Sequence, residues 1–237
     1  MEGFTYYNIF DTKGIEYLVI IAFLLLLIPF WLALNKKSKV KEKFSQAIDA
    51  LSAAILSIPQ GIFHSKNHTW AFLEKSGTAL VGVDDFLLNI TGELRIRLLK
   101  KPGERVRKGE LMAELDQNDK SLKVFSPISG TIVNTNPGLE ASTALLNNDP
   151  YGQGWLYNVK PSLWIEEIPS FLMAEDATNW LSKELLRYKD FLATRLSRYS
   201  PETSMVILQD GGELTENSLS ECPNDLWLDF QQEFLNP

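Results

Sequence analysis

The sequence predicts an α+β protein: one N-terminal transmembrane helix, a compact antiparallel β domain, and C-terminal helices that end in an acidic tail. Three observations carry this. From Tyr17 to Leu34 the chain reads YLVIIAFLLLLIPFWLAL, apolar and without a charge. After Gly61, short alternating stretches such as TWAFLEK and TALVGV are separated by glycines and polar turns, the signature of strands and hairpins. From Met173 onward apolar residues recur at helical spacing. With 237 residues, 45% hydrophobic, and a net charge of -7, the chain can hold an anchor plus one domain with a real core.

The elements divide the chain into an extracytoplasmic tail (1–13), a membrane-spanning helix (14–35), a basic juxtamembrane segment with an amphipathic helix (36–59), a β domain (60–165), a helical extension (166–199) and an acidic tail (200–237). The apolar run is about the length that crosses a bilayer. Lys36, Lys37, Lys39, Lys41 and Lys43 follow it, whereas Glu2, Asp11 and Lys13 precede it. The positive-inside rule then places the N terminus outside and the main domain in the cytoplasm, on a single-pass anchor in the inner or cytoplasmic membrane. The positive n-region of a signal peptide is lacking before the run, where Lys13 is outnumbered by Glu2 and Asp11, and no small-residue cleavage site follows it, so the anchor is expected to stay. In the next segment Ile48, Leu51, Ile55 and Ile58 form an apolar stripe, stopped by Pro59 and Gly61. This stripe suits either a partner, the membrane or the following domain's own core.

Within the β domain, GERVRKGELMAEL (Gly103 to Leu115) and FSPISGTIVNTNPGLEA (Phe125 to Ala141) are each a strand, a glycine turn and a strand, with a hairpin tip between them. This is the layout of a biotinyl or lipoyl barrel-sandwich hybrid. HTWAFLEKSGTALVGVDDFLLNITGEL, SPISGTIVNTN and above all LLNNDPYGQGWLYNVKP resemble the H-x-W, V-G-x-x-D-[YF], G-[DE]-[IL] and N-x-D-P-Y-G-x-G-W-L series of the glycine cleavage system H protein. That family carries an aminomethyl group on a lipoyl-lysine arm. The resemblance runs from Gly61 to about Pro161, and implies an H-protein-like domain.

The same resemblance places the arm-bearing lysine at a fixed distance from the preceding glycine and the following proline. Counted from Gly109 and back from Pro127, both distances land on Asp119; Lys120 is one residue late and Lys123 lies in the returning strand. One residue changes the face a side chain takes along a strand. An arm-less hairpin with no cofactor is therefore expected, and the alternative is a lipoyl carrier with lipoate on Lys120.

No catalytic constellation is visible, so the protein is not expected to be an enzyme. His64 and His68 are the two histidines; His68 fits H-x-W and is expected to pack near Trp70 rather than to bind metal. Asp84 and Asp85 have no accompanying nucleophile, and Asp85 matches the family's structural aspartate, with a turn or capping role. Tyr151 and Trp155 of DPYGQGWL belong to core and turn chemistry. Lys100, Lys101, Arg105, Arg107 and Lys108 flank a glycine turn as a solvated face, and the acidic balance argues against a nucleic-acid partner. Cys222 is the single cysteine, which leaves no intramolecular disulfide.

In the extension, Ala177, Trp180, Leu181, Leu185, Tyr188, Phe191 and Leu192 form a broad apolar face, read as one long helix or two short ones. The tail from Ser200 has acids but no lysine or arginine, and is expected to be flexible, with NDLWLDFQQEFL able to order against a partner. Ile48, Leu51, Ile55, Trp180, Leu185, Trp227 and Phe230 are accordingly the candidate partner-binding residues. The function expected is a membrane-anchored, non-lipoylated accessory or scaffold subunit of a membrane-associated assembly. A respiratory or redox complex is one candidate, with the membrane and other subunits as partners.

Overall fold

The structure, a computed structural model, describes residues 9–34, 58–199, 217–220 and 222–236. The chain divides into two compact units, Met1–Ala47 and Ile48–Pro237.

In the first unit, α1 runs from Ile9 to Leu34 with Pro29 inside it. The transmembrane helix in the expected fold class is corrected here: among the described residues, no helix is long and apolar enough to cross a membrane. The described side chains of α1, Tyr17 to Phe30, are exposed. The single-pass localisation and the orientation with the N terminus outside fall with the anchor. Ile48, Leu51 and Ile55 lie outside the described residues.

The second unit is a β-sandwich with helices. Its strands are β1 (Phe63–His64), β2 (Thr69–Leu73), β3 (Ala79–Val83), β4 (Arg95–Leu98), β5 (Arg105–Val106), β6 (Leu111–Gln117), β7 (Lys120–Phe125), β8 (Gly130–Thr135) and β9 (Tyr157–Pro161). They form a six-stranded sheet in the order β1-β2-β3-β9-β8-β5 and a three-stranded sheet in the order β4-β6-β7, paired antiparallel throughout. Ala71, Val81, Val83 and Val159 from the first sheet and Met112, Leu115, Leu122 and Val124 from the second share one buried core. Alternation selects them: in β7, Leu122 and Val124 are buried while Ser121 and Lys123 are exposed.

Local chemistry explains the motif residues. Trp70 of H-x-W lies across Gly82 of the V-G pair, where an added Cβ would stand 2.5 Å from the indole; only glycine lets the ring lie flat on β3. Helix α2 (Asp85–Thr91) starts at Asp84, whose side chain accepts the Leu87 N–H at 3.0 Å, an N-cap bond that satisfies one orphan donor. The DPYGQGW turn is folded around Asp149, which accepts the N–H groups of Gly152 and Gln153 at 3.0 and 2.9 Å.

After the short helices α3 (Gly138–Ala141), α4 (Ala144–Asn148) and α5 (Trp164–Glu167), one long helix, α6, spans Ala174–Tyr199. Its apolar stripe, Ala177, Leu181, Leu185, Tyr188, Phe191 and Leu192, is buried. What covers the far side of that stripe is the end of the chain. Helix α7 (Asn224–Phe230) and a turn of π-helix (Gln231–Leu235) place Phe230 and Phe234 against Tyr188 and Phe191, with ring centroids between 5.4 and 6.1 Å. Thus residues 217–220 and 222–236, expected to belong to a flexible tail, are folded onto the chain's own domain. Acidic residues hold this seat from outside: Arg195 pairs with Asp229 at 3.4 Å and Glu233 at 3.7 Å.

Candidate functional site

The hairpin β6–β7 closes with Gln117 opposite Lys120, so its two-residue loop is Asn118–Asp119. Asn118 takes a φ of 54°, the left-handed region that tight hairpin loops require and that asparagine tolerates. The tip position expected for an arm-bearing lysine is therefore held by Asp119, whose carboxylate offers no amine for an amide. Lys120 is the first residue of β7. By the parity of the strand it shares the inward face with Leu122 and Val124 rather than the outward face of Ser121 and Lys123.

The Lys120 ammonium is held where it lies. Its Nζ donates to the carbonyls of Ser220 at 2.6 Å and Cys222 at 2.7 Å, and stands 5.3 Å from the centroid of the Trp227 ring. Such charge-assisted bonds, with an aromatic face alongside, are among the stronger polar contacts available to a lysine. The C-terminal segment that supplies them is itself tied down. Asn217 and Leu219 donate backbone N–H bonds to Asn89 and Ile90 carbonyls, both at 2.8 Å. The Trp227 indole donates to Leu219 O at 2.7 Å, and Asn67 donates to Leu235 O at 3.0 Å. Gly92 (φ 75°) permits this approach, because a Cβ there would meet Asn217 Oδ1 at 2.4 Å.

At the open edge of the three-stranded sheet, the Gln231 side chain does the work of a missing strand. Its Oε1 accepts the Lys123 N–H at 2.6 Å and its Nε2 donates to the Lys123 carbonyl at 3.3 Å. At the hairpin tip, a cleft of about 650 Å³ is lined by Lys120 itself together with Arg95, Arg97, Asp116, Asn118 and Asp119, among others. It is a polar cleft, in which Arg97 pairs with Glu114 at 2.5 Å and Asp116 at 3.5 Å.

A second polar cluster joins the family-like motifs to α6. His68 is fully buried, with Nδ1 2.8 Å from Asp84 Oδ2 and Nε2 3.5 Å from Glu184 Oε1; Arg187 also bonds Glu184 at 2.7 Å. Burial alone would push the imidazole down, but the Asp84 carboxylate, with help from Glu184, outweighs it and raises the pKa to about 9. Burial would raise Asp84, yet the His68 charge and hydrogen bond bring it below its ordinary value. The result is a buried imidazolium between two carboxylates. Next to it, burial and the Asp84 charge push Asp85 up to about 7, and Asp85 accepts the Tyr151 hydroxyl at 2.7 Å. Burial pulls His64 down to about 4.

Of the residues expected to meet a partner, Trp180 lies 5.1 Å from the His68 ring, and Leu185, Trp227 and Phe230 are buried within the chain's own core. Sequence reading expected His68 to pack near Trp70, whereas its ring stacks on Phe86 at 4.6 Å and lies against Trp180; it also missed Glu184 as a second carboxylate, and missed Ser220, Cys222 and Gln231. The first could have been found from Glu184 standing on the apolar face of α6, one residue from Leu185. Backbone carbonyls that bind an ammonium leave no signal in the letters.

Comparison with known proteins places these features. A glycine cleavage system H protein of Thermococcus gammatolerans is similar, 34% identical over 124 residues, covering 52% of this chain and 92% of the relative. One of Thermus thermophilus is 36% identical over 106 residues, covering 45% and 82%. The crystal structure of a glycine cleavage system H protein from Mycobacterium marinum aligns with a TM-score of 0.44 at 27% identity, covering 52% of this chain and 98% of that one. The family model for the glycine cleavage H-protein matches residues 62–184, which takes in the sandwich, the His68 cluster and the first half of α6, and so the chain belongs to the glycine cleavage H-protein family of lipoyl carriers.

Proposed function

We propose that this protein is a non-lipoylated member of its family, an accessory or scaffold subunit of a protein assembly rather than a carrier and not itself an enzyme. One observation carries the reading: Lys120, the lysine nearest the hairpin tip, points to the inward face with its Nζ bonded to the Ser220 and Cys222 carbonyls, while Asp119 occupies the tip. A swinging arm needs a lysine that projects into solvent and turns freely. The polar lining of the neighbouring cleft also supports the reading, since it gives an apolar dithiolane little to rest on. The hairpin persists because the strands it joins supply Met112, Leu115, Leu122 and Val124 to the core.

The test is the mass of tryptic peptides spanning residues 116–123 from protein purified out of its native source. Unmodified Lys120 is the expected result; a lipoyl adduct there would make the protein a carrier and overturn the reading. The scaffold role further expects stoichiometric partners in the native preparation, and a lone monomer would remove it.

A further inference from the structure

The niche around Lys120 is selective for a free ammonium, and we infer that acylation of Lys120 and docking of the C-terminal segment (residues 217–235) are mutually exclusive. The inference rests on the preceding reading that Lys120 is unmodified in the native protein, and deepens it by naming what controls the site.

An ammonium has three N–H donors and no lone pair. Two of the Lys120 donors are directed at the Ser220 and Cys222 carbonyls, at 2.6 and 2.7 Å. For an acyl group to be attached, the nitrogen must first lose a proton. Its lone pair then attacks the activated acyl carbon, a C–N bond forms, the bond to the leaving group breaks with its electron pair, and a second proton goes to solvent. The product amide is neutral and keeps one N–H. It can satisfy at most one of the two carbonyls, it gives up the cation–π contact with Trp227, and it must place a carbonyl carbon and oxygen where the segment now lies. A docked segment therefore withholds the amine, and an acylated amine expels the segment. By linkage the two effects are equal in free energy. This matters for the whole C-terminal face, because Trp227, Phe230 and Phe234 are 0 to 2% exposed when the segment is seated.

Lys123 provides an internal control, three residues along the same strand with an exposed side chain. The full-length chain would be treated with sulfo-N-hydroxysuccinimide acetate, and acetylation at Lys120 and Lys123 followed by peptide mass over time. Because the amine must leave its charge-assisted bonds before it can react, Lys120 should react at least about tenfold more slowly than Lys123. Equal rates would overturn the exclusion. In a second arm, Lys120→Gln, neutral like the acylated side chain, should raise amide hydrogen exchange in residues 224–235 by about tenfold or more, on the same reasoning. Exchange in β9 should stay unchanged, and Lys120→Arg should keep most of the protection. Unchanged exchange in 224–235 would also refute the coupling. If Lys120→Gln does not fold, the acetylation rates of the unaltered chain decide. The two readings fail separately: a lipoyl adduct in native protein sinks the proposed function, whereas equal acetylation rates sink only the exclusion.

Discussion

Replacing Asp84 by asparagine tests whether the His68 cluster fastens α6 to the sandwich. The substitution keeps the shape of the side chain and an oxygen to cap α2, but removes the charge 2.8 Å from His68. Glu184, at 3.5 Å, is then the remaining counter-charge. In the folded chain His68 has a pKa of about 9 against an ordinary 6.5; at 1.36 kcal/mol per pH unit that difference is worth about 3 kcal/mol. Loss of one member of a buried pair costs a similar amount, about 3 to 5 kcal/mol. Urea unfolding at pH 6 should show a midpoint lower by about 1.5 to 2.5 M, given a slope of about 2 kcal/mol per molar. The pH dependence follows from the direction of each shift. His68 is raised, so its contribution is full below 6.5 and is lost as pH rises through 9. Asp84 is lowered, so its contribution is present above its ordinary value of 3.8 and is lost as pH falls below it. The gap between the two proteins should be widest between pH 4 and 6.5 and should narrow by pH 9.5. A gap that stays constant from pH 6 to 9.5, or a cost under about 0.5 kcal/mol, the range of ordinary surface substitutions, would refute the reasoning.

Asp85→Asn should act in the opposite sense. Because burial raises Asp85 to about 7, ionising it weakens the fold as pH climbs from 3.8 towards 7. The variant keeps an acceptor for Tyr151, and in thermal melts should gain on the wild type across that window and hold the gain above it. Phe230→Ala removes a fully buried ring stacked 4.7 Å from Phe234, and should cost about 3 to 5 kcal/mol in denaturant melts. A solvated tail would show almost no change.

The sandwich was legible because each motif is a local rule written in adjacent letters. H-x-W and V-G belong together since Trp70 needs a bare Gly82 beneath it, and D-P-Y-G-x-G needs Asp149 to gather the turn's N–H groups. The described end of the tail departs from the flexible segment expected because its acids stand at set positions as well as in a composition. Taken as positions, Asp225, Asp229 and Glu233 are four apart, as are Leu226, Phe230 and Phe234, which is a helix with one charged stripe and one apolar stripe. Arg195 faces the first and Tyr188 and Phe191 face the second. The orientation of Lys120 was half legible. Strand parity with Leu122 and Val124 points it inward, but which residues form a two-residue tip is settled by the backbone of Asn118, and the carbonyls that receive the amine come from residues 100 and 102 positions away. The apolar run at residues 17–34 does form helix, as its letters suggest, within α1.

Those last separations have a consequence for the making of the protein. A ribosome emits the chain from its first residue, and the hairpin leaves the exit tunnel long before Ser220, Cys222 and Gln231 are translated. Until then the face of α6 and the edge of β7 stand uncovered, so this layer closes only once those later residues have left the tunnel. Contacts this distant in sequence also slow their own formation. Loss of Phe234 and Leu235, both buried, would therefore behave as a defect of the core, although they lie far in sequence from the strands they cover.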